Sequence, residues 1–216
     1  MPVEFFYTVK DESVSELVEK KSRFIAHLRP VADEAEALEF ISEMKKKFWD
    51  ARHNCSAYIV KTDDEGQHYD EKCSDDGEPS RTAGSPMLEV LKGAGLKNVC
   101  VVVTRYFGGV LLGTGGLVRA YSGAAAQAVE AAETVKMQLQ NRVSVKTDYN
   151  GYGRLQYFVA NEGMVLADTE FSDSVNAVVL CDDAGLGSLR KKMNEATAGK
   201  AEIEIIDRGF YETPDK

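Results

Sequence analysis

The residues best equipped for chemistry lie between Cys73 and Tyr121. The loop RYFGGVLLGTGGL sets Gly108, Gly109, Gly113, Gly115 and Gly116 between an apolar run and an alanine-rich stretch. Glycines permit positive φ and close backbone approach, and the start of the following helix offers unpaired amides and a positive dipole end. Arg105 before the loop and Arg119 after it add planar guanidinium forks, so the pattern predicts an anion site, above all for phosphate. The spacing is not a Walker motif, for no Gly-Lys-Ser/Thr follows, and it is not the dinucleotide fingerprint. In the competing reading the glycines only make tight turns and helix–sheet contacts, and Arg119 pairs with an acidic residue. Tyr106 and Phe107 offer faces on which single-stranded bases stack, or else they pack inside.

Upstream, CSDDGEPSRTAGSP places Asp75, Asp76 and Glu78 within four positions. Such carboxylates ligate a divalent cation, cap a helix or pair with arginines. A metal demands convergence that a loop sequence does not establish, so capping and pairing with Arg105 or Arg119 is the expected use, with no metal and no cofactor. His53, Asn54 and Cys55 suggest a Cys–His hydrolase, but His53 is too near Cys55 along a strand to face it. Cys55 is therefore read as core. His53 and Asn54 are read as site-lining residues, since they stand where the chain enters a strand.

These groups need a scaffold, and the chain spells one out. Lys21 to Val31 alternates as a strand, with Phe24, Ala26 and Leu28 on one face. Asp33 caps a helix from Glu34 to Phe48, whose apolar face is read as Ala35, Leu38, Ile41, Met44 and Phe48. Cys55 to Lys61 and His68 to Cys73 form a hairpin across the acidic turn DDEGQ. Pro86 enters a helix through Met87, Leu88, Val90 and Leu91 that stops at Gly93 or Gly95. Val99 to Thr104 is continuously apolar, as in a strand covered on both faces, and delivers Arg105, Tyr106 and Phe107 into the glycine loop. From Gly116 a helix buries Leu117, Ala120, Tyr121, Ala124 and Ala128.

The remainder reads as strand 135–148, helix 151–161, strands 164–171 and 174–180, helix 184–196 and strand 201–211. That βαββαβ order predicts a ferredoxin-like antiparallel sheet with two helices on one face. The fold class is α+β, with domains at residues 1–133 and 134–216.

Composition agrees with a folded chain: 44% hydrophobic, 28% charged and 9% aromatic over 216 residues. The net charge is −9, with 16 basic and 22 acidic residues before position 134 and 10 and 13 after it, so neither half is a basic module. Nucleic-acid binding then requires a local cationic patch. Lys45, Lys46 and Lys47, beside Glu43 and Asp50, are read as a solvated helix face. The start MPVEFFYTVKDES lacks the features of a secretory leader, no apolar run reaches membrane-spanning length, and Cys55, Cys73, Cys100 and Cys181 show no CxxC spacing. A cytoplasmic location, reduced thiols and no membrane partner are expected.

The strings KKSRFIA, ARHNCSAYIV, CSDDGEPSRTAGSPMLEVL and VVVTRYFGGVLLGTGGLVRAYSGA closely resemble the signature of the YigZ/IMPACT family over residues 18–130, and the tail resembles the family's bacterial C-terminal domain. The resemblance implies a first domain of the ribosomal protein S-five domain-two-like fold and a second similar to ferredoxin-like domains of elongation factor G. Both folds occur in the translation machinery. Eukaryotic IMPACT proteins regulate translation through the amino-acid-starvation kinase pathway, using an additional N-terminal domain that is not in this chain. The family usually reads GEPSGTAG, and here Arg81 replaces the second glycine. The expected function is a non-enzymatic regulator of translation or stress response that binds RNA, nucleotide or another phosphate-bearing partner, with RNA or ribosome-associated factors as partners. The alternatives are a metal-dependent hydrolase or phosphotransferase built on the acidic loop, and a protein–protein adaptor using the C-terminal sheet.

Overall fold

The computed structural model describes residues 5–64 and 66–213. The first four residues of the extended start and Glu65 of the acidic turn lie outside the described residues. The protein is α+β and folds as two compact units, residues 1–136 and 137–216.

The first unit opens with β1 (Phe5–Val9), β2 (Ser13–Glu19) and β3 (Ser22–Pro30). It continues through α1 (Glu34–Lys47), β4 (His53–Lys61), β5 (Tyr69–Ser74), α2 (Gly84–Gly93), β6 (Val99–Tyr106) and α3 (Gly113–Ala131). Its sheet runs in the order β2-β3-β6-β4-β5 with every neighbour antiparallel. β6 lies at the centre, which is why its sequence is apolar without alternation: Val99, Val101 and Val103 pack toward α2 and α3, while Cys100 and Val102 pack toward α1.

Sequence spacing places Ile41, Met44 and Phe48 correctly on the buried face of α1 and Ala35 and Leu38 wrongly. Asp33 caps it as read, accepting from the Glu36 amide. The buried residues, however, are Ala37, Phe40 and Met44, whereas Leu38 is half exposed and Ala35 exposed. Phe40 carries more apolar area than Leu38 or Ala35, so burying it favours that rotation of the helix. α3 buries Leu117, Ala120, Tyr121, Ala124 and Ala128 as read.

The second unit comprises β7 (Thr134–Thr147) from Met137 onward, α4 (Tyr149–Glu162), β8 (Val165–Phe171), β9 (Val175–Cys181), α5 (Asp183–Thr197) and β10 (Glu202–Thr213). Its strands run β8-β9-β7-β10, with β8–β9 and β9–β7 antiparallel. Element order and strand order are those of a repeated split βαβ unit. Asp148 and Asp182 cap its helices through the Gly151 and Gly185 amides, and Val143, Val145, Ala177 and Val179 meet Leu155, Leu189 and Met193 in one core.

Candidate functional site

Strand register begins the site. His53 of β4 lies opposite Arg105 of β6, and Phe24 of β3 lies opposite Arg105 on its other side. Arg105 continues the row of Val101 and Val103, so its side chain reaches toward the α2/α3 layer at the end of the sheet. The sequence places Arg105 in the loop; in the structure it and Tyr106 are the last residues of β6.

The acidic loop returns to meet it. Arg105 Nη1 donates to Glu78 Oε1 at 2.5 Å, Tyr121 Oη donates to the same oxygen at 2.9 Å, and His53 Nε2 lies 3.9 Å from it. The ion-paired side chains are only 8% and 3% exposed. The guanidinium carbon sits 5.5 Å from the ring centres of both Phe24 and Phe107, and Nε is buried without a hydrogen-bond partner.

The other two carboxylates are occupied with the backbone. Asp75 accepts from the amides of Arg81, Ala83 and Gly84 at 2.7–3.0 Å and so caps α2 from a distance. Asp76 accepts from Lys45 Nζ and from the Asn54 amide. Burial raises the Asp76 carboxyl pKa, but these two donors outweigh it and hold the group below its usual value. Capping and pairing is thus the use the loop makes of its carboxylates. Among the described residues, no cluster of His, Cys, Asp and Glu is arranged to hold a metal ion.

Arg81 occupies φ +62°, the left-handed region that favours glycine. This accounts for the glycine of the family pattern at that position. Its side chain is exposed, while its backbone amide holds Asp75.

Asn54 is buried and accepts from the Thr104 hydroxyl. Cys55 is fully buried, donates to the Asp75 carbonyl, and has its thiol pushed up to about 12, chiefly by burial. It stays a protonated thiol at neutral pH and is no nucleophile.

A cleft of about 310 Å³ opens over this cluster, lined by Arg52, His53, Gly77, Glu78, Pro79, Arg105, Phe107 and Leu111. His53 Nδ1 donates to the Asp76 carbonyl at 2.9 Å, so in the neutral ring Nε2, on the side of Glu78, is the acceptor. Phe107 is 48% and Leu111 84% exposed, which makes one wall apolar.

The glycine loop contributes unequally. A Cβ at Gly108 would lie 2.0 Å from the Lys21 backbone carbon, so this glycine serves a close crossing over the β2–β3 turn, where its amide donates to Ser22 Oγ. Gly109 and Gly113 adopt positive φ on the exposed rim. Gly115 is exposed and Gly116 buried against Leu112 in the first turn of α3. That turn has neither a side-chain cap nor an acidic residue. Arg119 is exposed, with Nη1 3.6 Å from where a Gly115 Cβ would stand, and no acidic partner reaches it among the described residues. Gly109, Gly113, Gly115, Gly116 and Arg119 do not line the cleft; they continue from it through Leu111 and Leu112. Tyr106 is half-buried, its hydroxyl donating to Asp50, with Arg23 over its ring.

Sequence reasoning passed over Arg52, Leu111 and the hydroxyl of Tyr121. Tyr121 was legible only as a core ring, which it also is, edge-on to Phe24 at 5.1 Å. Arg52 stands immediately before the His53–Asn54 pair, and that adjacency was the available signal.

Comparison with known proteins follows the same division. Residues 20–129 match the family model of the Impact N-terminal domain, and residues 145–200 match a domain of unknown function, DUF1949. The chain is 41% identical to IMPACT family member YvyE of Bacillus subtilis, over 96% of this chain and 94% of that protein. It is 31% identical to IMPACT family member YigZ of Escherichia coli, over 87% and 91%. A crystal structure of a hypothetical protein superposes with a TM-score of 0.62 at 29% identity, covering 95% of this chain and 98% of that one. With a family model spanning four of the five strands of the first unit's sheet, the cleft and the glycine loop, and relatives matched over nearly their whole length, the chain belongs to the IMPACT family.

Proposed function

We propose that the protein is a non-enzymatic accessory factor of translation, acting in the cytoplasm, whose first unit binds single-stranded RNA through its phosphates. One observation carries this reading. The N-terminus of α3, which no side chain caps and where Arg119 lies beside Gly115 without an acidic partner among the described residues, continues through Leu111 into a cleft lined by both exposed Phe107 and Arg52. Exposed amides and a helix dipole favour an anion, exposed guanidinium groups add fixed positive charge, and an exposed ring next to cations is what stacking of unpaired bases requires. The overall charge of −9 makes such a local patch a necessity. Kinship with the IMPACT family, whose eukaryotic members the motifs resemble as regulators of translation, supports RNA or a ribosome-associated factor as the partner. The metal-dependent hydrolase loses its ligand set, because Asp75, Asp76 and Glu78 each turn to different protein partners.

Arg105 is a poor probe, being buried and paired. Arg52 and Arg119, both exposed, are the informative positions. Fluorescence anisotropy with an unstructured RNA between 50 and 200 mM salt should show affinity falling steeply with salt. Arg52→Gln and Arg119→Gln should each weaken binding several-fold and reduce the salt slope by about 0.7. An unchanged affinity and slope in the double variant would refute the reading.

A further inference from the structure

The cleft has more specific chemistry than phosphate binding needs. Glu78 directs Oε1 to Arg105 and Tyr121, and no hydrogen bond reaches its Oε2 among the described residues. Arg105 spends Nη1 on Glu78, and no hydrogen bond reaches its Nη2 among the described residues. His53, fixed by the Asp76 carbonyl, presents Nε2 as an acceptor when neutral. All three residues line the same cleft, and the Arg105 and Glu78 side chains are more than nine-tenths buried. A buried donor and a buried acceptor, held rigid by each other and left half-used, resemble a recognition surface more than a structural ion pair.

The set is the two N–H groups of Arg105 Nη2, on one nitrogen, and two acceptor atoms, Glu78 Oε2 and His53 Nε2. The complementary ligand edge carries one acceptor beside two donors. Among the RNA bases this is guanine, with its O6 acceptor, N1–H and N2–H2. Adenine pairs a donor with an acceptor, cytosine presents one donor with two acceptors, and uracil flanks one donor with two acceptors. The cleft is at the small end of ligand sites, matched to one base, and exposed Phe107 supplies a ring face for it.

We propose that this cleft reads a single unstacked guanine of bound RNA: Arg105 donates to O6, Glu78 and His53 accept from N1–H and N2–H2, and Phe107 stacks on the base. The proposal rests on the RNA-binding reading above and specifies the base it takes. Arg52, at the cleft's edge, is then placed for a flanking phosphate.

The test uses the full chain and four RNA hexamers: all uridine, and uridine with one central guanine, adenine or cytosine. Binding is read by calorimetry and by the fluorescence of Trp49, the single tryptophan of the chain. The guanine hexamer should bind about 10-fold tighter than the others, and the ratio should persist as salt is raised, since base contacts are screened less than phosphate contacts. Phe107→Ala, at an exposed position, should cost roughly 5- to 100-fold for the guanine hexamer. Glu78→Gln should abolish the guanine preference. If that variant fails to fold, Phe107→Ala and the base series still decide. Equal, salt-sensitive affinity for all four hexamers overturns the guanine site while leaving phosphate binding in place. No binding of any hexamer overturns both.

Discussion

Breaking the Arg105–Glu78 pair gives the sharpest test of how the site is held. Both side chains are more than nine-tenths buried, so each partner's charge is tolerated only because the other is there. Arg105→Met leaves the Glu78 carboxylate buried with only the Tyr121 hydroxyl and His53 for company. Glu78→Gln leaves the guanidinium buried between Phe24 and Phe107 without a counter-charge. Removing one member of a buried pair costs about 3–5 kcal/mol, much of it the penalty for the stranded partner. The double variant strands nothing, so its cost should fall short of the sum of the singles by about 2–3 kcal/mol. Urea denaturation of the full chain, followed by circular dichroism and by Trp49 in the first unit, measures all four proteins. With an m value of about 1.5 kcal/mol/M, each single substitution shifts the midpoint down by roughly 2 M or more. Because the pair is shielded from solvent, the coupling should change little between 0.1 and 1 M salt. Costs that add within about 0.5 kcal/mol would show the two groups to be independent and would refute the account of the site given above.

Two further predictions follow from the acidic loop. Arg81→Gly relieves a left-handed backbone and keeps the amide that holds Asp75, so it should stabilise the protein by about 0.5–1 kcal/mol, read as a higher urea midpoint; a lower one would mean that the Arg81 side chain contributes contacts of its own. Asp76 titrates below its ordinary value of 3.8, so its contribution is present above about pH 4 and is lost as pH falls through the folded value; Asp76→Asn should cost about 1–2 kcal/mol at pH 7, with the gap to the wild type narrowing as pH falls below about 4, and a gap constant with pH would refute the assignment.

Much of the scaffold was legible because local patterns and burial agreed. The unbroken apolar run of β6 announced a strand covered on both faces, and Val101 and Val102 do pack on opposite cores. The alanine-rich face of α3 and the Asp33 cap were read correctly for the same reason. β2 escaped notice because it is an edge strand. Val14 and Val18 are exposed on it among Ser and Glu residues, so no buried row marks it. The phase of α1 was ambiguous in its first turns, where Ala35 and Leu38 extend the spacing of Met44 as well as Ala37 and Phe40 do, and only packing in the core with Tyr58 and Val102 selects the latter pair.

The site divides along the same line. By itself the sequence determined its ingredients: an acidic loop, an arginine at the end of a strand and a glycine-rich entry to a helix, since each is a local pattern with local chemistry. It determined as well that a negatively charged chain requires a local cationic patch to hold RNA. Only the tertiary structure decided which members meet. Arg105 and Tyr121 lie 27 and 43 positions after Glu78, and the three converge because register sets His53 opposite Arg105 while Asp75 folds the loop back onto α2. The same convergence left Arg119 outside the cleft and brought Arg52 into it. Which strands become neighbours is settled by contacts between residues far apart in the chain, whereas helical or alternating periodicity is written in adjacent residues, and that is why the cleft became visible only in the fold.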